Sequence, residues 1–118
     1  NVMVLLILNC VPYGSEKVYN ALRLAMKLQQ EHADTQLRIF LMADAVTGAL
    51  PRQSPPDGYY NIERMLRGVI THGATVKACG TCAEARGIDN VPLIDGVAIS
   101  TMSELAGWVM EADKVLTF

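Results

Sequence analysis

The run Val2-Met3-Val4-Leu5-Leu6-Ile7-Leu8 constrains the fold of this chain more than any other stretch. It is apolar without interruption, so it lacks the alternation of a strand with one wet face. A strand of this kind must be covered on both faces, and such strands belong to parallel sheets flanked by helices. The run is far shorter than the roughly 20 residues a membrane span requires. With no basic segment before it and no small-residue cleavage site after it, it does not read as a signal peptide either.

The rest of the chain supplies the helices that such a strand needs. Asn9 to Gly14 reads as a turn, with Pro12 and Gly14 as breakers. Ser15 is placed to cap a helix in which Val18, Ala21, Leu22, Ala25 and Leu28 share one face, with Arg23, Lys27 and Gln30 opposite. Leu37–Met42 reads as a second strand. After the loop Ala43–Gly58, Ile62, Met65, Leu66, Val69 and Ile70 recur at helical spacing, and Gly73 closes that helix. Ala74–Ala78 reads as a third strand, Cys82–Arg86 as a short helix stopped by Gly87, and Val97–Ile99 as a short strand. Thr101-Met102-Ser103-Glu104 is a capping box for a helix expected to bury Leu105, Trp108, Val109 and Ala112. Val115–Phe118 ends the pattern as a last strand. Strands alternating with helices in this way predict one α/β domain over 1–118, with a five-stranded parallel sheet between two helical layers.

Composition removes several function classes. At 118 residues there is room for one domain, and 51% hydrophobic with 19% charged residues is too apolar for a disordered chain. A net charge of −2 and the lack of a basic stripe argue against a nucleic-acid partner. The expectation is a protein of the cytoplasm with neither nucleic-acid nor membrane partners.

In open parallel sheets the functional site lies outside the carboxyl ends of the strands. That rule selects the loops Asn9–Ser15, Ala43–Gly58, Cys79–Cys82 and the segment around Pro92–Gly96, and three of the four begin with Cys10, Asp44 and Cys79. Cys79-Gly80-Thr81-Cys82 is the most informative of them. A thiol where a strand hands over to a helix meets unpaired N–H groups that stabilise its thiolate. A buried free cysteine is ordinarily a small hydrophobe, but C-G-x-C at a helix start favours chemistry. Lys77 and Arg86 could add positive charge nearby, although Lys77 is expected on the strand face opposite Ala78.

Zinc would need four ligands, and one C-x-x-C supplies half, with Cys10, His32 and His72 too scattered to complete it. No metal site and no cofactor are therefore expected. His72 suits the end of its helix. The chain after Cys82 is too short for a thioredoxin fold, although the dithiol could still cycle. Pro12-Tyr13-Gly14-Ser15 is neither a P-loop nor a dinucleotide fingerprint, and is expected to leave Tyr13 over the crevice. Asp44 could orient a thiol, but reads better as a cap for Ala45-Val46-Thr47. The loop Ala43–Gly58 is long, proline-marked and low in charge, which suits a covered position or a subunit contact.

Four segments together resemble a known family. Asn9-Cys10-Val11-Pro12-Tyr13-Gly14-Ser15-Glu16 and Phe40-Leu41-Met42-Ala43-Asp44-Ala45-Val46 are similar to the first two motifs of the DsrE/DsrF-like sulfur-relay family. Val76-Lys77-Ala78-Cys79, followed by Arg86-Gly87-Ile88, resembles the third, and Ala112-Asp113-Lys114-Val115-Leu116-Thr117-Phe118 resembles the family's ending. Cys82 makes the chain most similar to the YchN subgroup. The resemblance implies a three-layer fold, a homohexamer built from trimers, and a persulfide on Cys79 received from a donor and passed to an acceptor thiol. Cys82 departs from the sulfur-oxidation members and could resolve that persulfide as hydrogen sulfide. The leading expectation is therefore a sulfur-transfer protein with Cys79 and Cys82 as its catalytic pair, lined by Cys10, Tyr13, Asp44 and Arg86. A dithiol redox protein and a hexameric binding module are the alternatives.

Overall fold

In the computed structural model, which describes residues 1–118, the opening apolar run becomes β1 (Met3–Leu8). There follow α1 (Lys17–Glu31), β2 (Gln36–Leu41), a 3₁₀ segment (Ala43–Ala49), α2 (Ile62–Thr71), β3 (Thr75–Cys79) and α3 (Gly80–Ala85). The chain ends with β4 (Val97–Ser100), α4 (Met102–Glu111) and β5 (Lys114–Thr117). The strands order as β4-β3-β2-β1-β5, and every pairing is parallel. β1 sits between β2 and β5, and its Leu5, Leu6 and Leu8 are wholly removed from solvent, as a two-sided strand requires.

Register determines which side chains share a face. Leu5 lies beside Arg38, and Ile7 beside Phe40, which in turn lies beside Lys77. This is the face that α4 covers. Trp108 meets Phe40 edge-on with centroids 6.0 Å apart, while the Arg38 guanidinium and the Lys77 ammonium lie 5.2 and 5.4 Å from the indole centroid. The other face is packed by α1, through Val18, Ala21, Leu22 and Ala25, and by α2, through Ile62, Leu66 and Val69. The three-layer parallel α/β architecture predicted from the sequence is the one observed.

Local departures have local causes. α1 starts at Lys17, one residue later than expected, with Glu16 at the cap position, while Ser15 Oγ accepts the Lys17 N–H. Thr101 does cap α4, accepting the Glu104 N–H, but Glu104 does not complete the box. Its carboxylate instead accepts hydrogen bonds from Lys77 and the Ser100 hydroxyl, which fasten α4 to β3 and β4 and hold that carboxyl below the usual range. Val109, expected inside, is exposed, because it lies at the margin of the stripe that Leu105 and Trp108 turn toward the sheet. The stretch expected to be a loop begins with the 3₁₀ segment, whose Ala45, Val46, Gly48 and Ala49 are buried. Its low charge therefore reflects insertion into the core. No helix is long and apolar enough to cross a membrane.

Candidate functional site

β3 delivers Cys79 to the carboxyl edge of the sheet, and Cys79 is itself the N-cap of α3. Its Sγ accepts the Cys82 backbone N–H at 3.3 Å and lies 3.3 Å from the Thr81 hydroxyl. The residue is only 4% exposed. Burial pushes this thiol up. Hydrogen bonds from the Cys82 thiol, the Thr81 hydroxyl and the N–H groups of both residues outweigh it, so the net displacement is downward.

Cys82, one turn into α3 and half-buried, moves the other way. Burial raises it, and so does the hydrogen bond its thiol gives to Cys79. The Ala43 N–H, 3.3 Å from Cys82 Sγ, and the positive charge of Arg86 pull it back only in part. Of the two thiols Cys79, at the end of β3 with donors on its sulfur, is thus the one biased toward thiolate, and Cys82 the one biased toward keeping its proton.

Gly80 allows this geometry. A β-carbon there would stand 3.1 Å from both the Ile99 side chain and the Ser100 carbonyl oxygen. The carbonyl belongs to β4 and cannot yield without disturbing the sheet. Gly80→Ala should therefore cost roughly 1–3 kcal/mol, the usual range for overpacking. Denaturant titration measures this, and an unchanged midpoint would mean that α3 can move off β4 freely.

Arg86 closes the site from the far end of α3. Its Nε and Nη2 donate to Asp44 Oδ1 at 3.0 and 2.8 Å, and its Nη1 donates to the Cys82 carbonyl at 3.0 Å. Asp44 is thus not the cap that the sequence suggested. The 3₁₀ segment has no side-chain cap, and the Asp44 carboxylate is committed to Arg86. Lys77 lies on the strand face opposite Ala78, as its alternation on β3 predicts, and its ammonium is committed there to Glu104.

The remaining candidates stand elsewhere. Cys10 follows β1, which β2 separates from β3, so its backbone is on the order of 10 Å across the sheet from Cys79. It is half-buried against the core. Tyr13 braces the loop: its hydroxyl donates to Gln53 Oε1 at 2.7 Å and accepts the Ile62 N–H at 3.0 Å, which holds the start of α2. Its ring joins those of Tyr19, Tyr59 and Tyr60 in one stack. Within that stack the Tyr60 phenol is pushed up to about 12, first by its hydrogen bond with Tyr59 and then by burial. His72 Nδ1 lies 2.8 Å from the Gly68 carbonyl at the end of α2, and no three His, Cys, Asp or Glu side chains gather as a ligand set.

Two site groups escaped the sequence. Thr81 was visible as a hydroxyl inside the C-x-x-C. Ala43 acts through its backbone alone, in a left-handed conformation (φ 49°) that an alanine does not advertise.

A sequence profile of the DsrE/DsrF-like family matches residues 3–118. The YchN protein of Escherichia coli strain K12 is 50% identical over 115 residues, spanning 98% of this chain and 97% of that one. A protein of Methanopyrus kandleri is 38% identical over 116 residues, spanning 98% of this chain and 93% of its own. The crystal structure of the E. coli YchN protein matches with a TM-score of 0.96 at 48% identity, covering 100% of both chains. The motifs at Cys10, Asp44 and Cys79, the parallel sheet whose carboxyl edge carries them, and these matches agree: the chain belongs to the DsrE/DsrF-like family, in its YchN subgroup.

Proposed function

We propose that this protein is a small sulfur carrier of the cytoplasm, with Cys79 holding sulfane sulfur as a persulfide and passing it to an acceptor thiol. The observation that carries this reading is the placement of Cys79 at the end of β3 and the cap of α3, its Sγ 3.3 Å from both the Cys82 N–H nitrogen and the Thr81 hydroxyl, with a second thiol one turn on. In the loading step the Cys79 thiolate attacks the terminal sulfur of a donor persulfide. A bond forms between Cys79 Sγ and that sulfur, the donor's S–S bond breaks, and the donor leaves as a thiolate. In the unloading step an acceptor thiolate attacks the same sulfur and returns Cys79 as thiolate. No electrons enter or leave, so the cycle needs neither cofactor nor metal.

Self-association belongs to the same reading, as a homohexamer built from trimers. Ile99, Met102, Val109, Met110, Val115 and Leu116 are exposed along β4, α4 and β5, and Met110 is 85% exposed. Large apolar side chains left exposed on both edge strands and on α4 of a small domain favour burial against other copies. Light scattering at micromolar concentration should give the hexamer mass, and a monomer would contradict this part of the proposal.

The polarised pair also suits a dithiol that cycles through a disulfide, and one experiment separates the two. Both the unmodified protein and Cys82→Ser are incubated with a loaded cysteine desulfurase and followed by intact mass before and after reductant. A sulfur carrier gains the mass of one sulfur atom in both, and keeps it longer in Cys82→Ser, where no neighbouring thiol can expel it. A redox dithiol keeps added sulfur in neither. In a binding module, sulfur chemistry is absent and only assembly responds to the substitution.

A further inference from the structure

Each sulfur of the pair has its own backbone donor. Cys82 supplies the N–H on Cys79, and Ala43 supplies the N–H on Cys82. The second donor comes from a different element, the 3₁₀ segment, and the backbone that aims it is left-handed at a residue with a β-carbon. Such a conformation costs on the order of 1–2 kcal/mol and persists only where its surroundings enforce it. The buried Ala45 and Val46 anchor the segment on one side of it, and the Asp44–Arg86 bridge ties it to α3. Asp44 is the next residue after Ala43, and Arg86 binds its carboxylate with two nitrogens while holding the Cys82 carbonyl with the third. One side chain thus grips Cys82 and the residue adjoining its donor. As a surface ion pair, with the Asp44 side chain 56% exposed, the bridge contributes little to stability. Its geometry has another consequence.

We infer that the Asp44–Arg86 bridge is a positioning device that keeps Cys82 competent to expel sulfur from Cys79, and so sets how long the carried sulfur survives. The inference rests on the persulfide-carrier reading. The step it governs is balanced within the pair. The Cys82 thiolate attacks Cys79 Sγ, the bond from Cys79 to the carried sulfur breaks, and hydrosulfide leaves. The carried sulfur is reduced by two electrons as Cys79 and Cys82 are oxidised to a disulfide. An external thiol must reduce that disulfide before the next round.

The charged and titratable groups facing Cys82 are Cys79 on its own turn and Arg86, which is itself neutralised by Asp44. Removing Arg86 withdraws its positive charge and unfastens the Ala43 donor, both of which act to keep Cys82 from rising further. Less Cys82 is then thiolate at neutral pH. Because nucleophilicity recovers roughly threefold for each tenfold loss of thiolate, the net slowing is about threefold per tenfold loss.

The test loads the full-length protein from a persulfide donor and follows sulfide release over time, with loading measured separately by intact mass. In Arg86→Gln, release at pH 7 should slow about threefold or more relative to loading, and the midpoint of its pH profile should move upward. Arg86→Lys, which keeps the charge opposite Asp44, should recover part of the rate. The Arg86→Gln effect should vanish when Cys82 is also serine, since the bridge then has nothing to position. Release in Arg86→Gln with the rate and pH profile of the unmodified protein would overturn the inference and leave the carrier reading intact. Slowing that persists in the Cys82→Ser background would overturn it too, by showing a merely structural role. Failure of the unmodified protein to take up sulfur would instead overturn the carrier reading beneath it.

Discussion

Cys79→Ser will gain no sulfur from a persulfide donor, under conditions in which the unmodified protein does. Three thiols are present, but only Cys79 combines a position at the end of β3 with two hydrogen-bond donors, the Cys82 N–H and the Thr81 hydroxyl. Serine keeps the small side chain at the cap of α3 and can accept the same N–H, so the fold should survive. It loses the polarisable sulfur and the acidity, and a hydroxyl cannot form the S–S bond. Cys82 is no substitute, since it sits one turn inside α3 and not at the end of β3, and burial still pushes its thiol up. Cys10 lies two strands away, outside this hydrogen-bond network. Intact-mass spectrometry reads the result directly. Undiminished uptake by the variant would move the site to another thiol.

The largest effect on stability is expected at Trp108. The indole is 6% exposed and is the main closure of the sheet face opposite α1 and α2. Truncating a buried tryptophan costs about 3–5 kcal/mol in lost burial and residual cavity. The two cations over the ring add to this, because without it Arg38 and Lys77 lose a partner at about 0.5–1 kcal/mol each. Trp108→Ala should therefore lose about 4–7 kcal/mol, a large part of the roughly 5–15 kcal/mol that holds an ordinary domain folded. Because Trp108 is the sole tryptophan, unfolding should be followed by circular dichroism. A loss under about 1 kcal/mol would mean that the ion pairs of α4, Arg38–Glu111 and Lys77–Glu104, hold it in place without the indole.

The sequence revealed the layers better than the contacts between them. Uninterrupted apolarity marked β1 as central, and 3.6-residue spacing marked the inner faces of α1 and α2, because burial alone decides both patterns. The carboxyl-edge rule then put Cys79 and Cys82 at the right end of the sheet. Asp44 was misread because its partner Arg86 lies 42 residues away, and local cap chemistry is all that neighbouring residues display. Glu104 was misread for the same reason, since Lys77 and Ser100 reach it from other strands. Val109 is as apolar as its buried neighbours, yet it lies at the margin of the stripe formed by Leu105 and Trp108 and stays exposed. Ala43 left no trace at all, since a backbone N–H and a left-handed φ are properties of the fold and not of the side chain.

Peptide mapping of the sulfur-loaded protein tests the central claim most directly. The unmodified protein and Cys82→Ser are exposed to a persulfide donor, alkylated to trap each sulfur where it sits, digested, and sequenced by mass spectrometry. The extra sulfur is predicted on the peptide containing Cys79, in higher yield and for longer in Cys82→Ser. Added sulfur confined to Cys82 or Cys10, or none at all across several donors, would contradict the account.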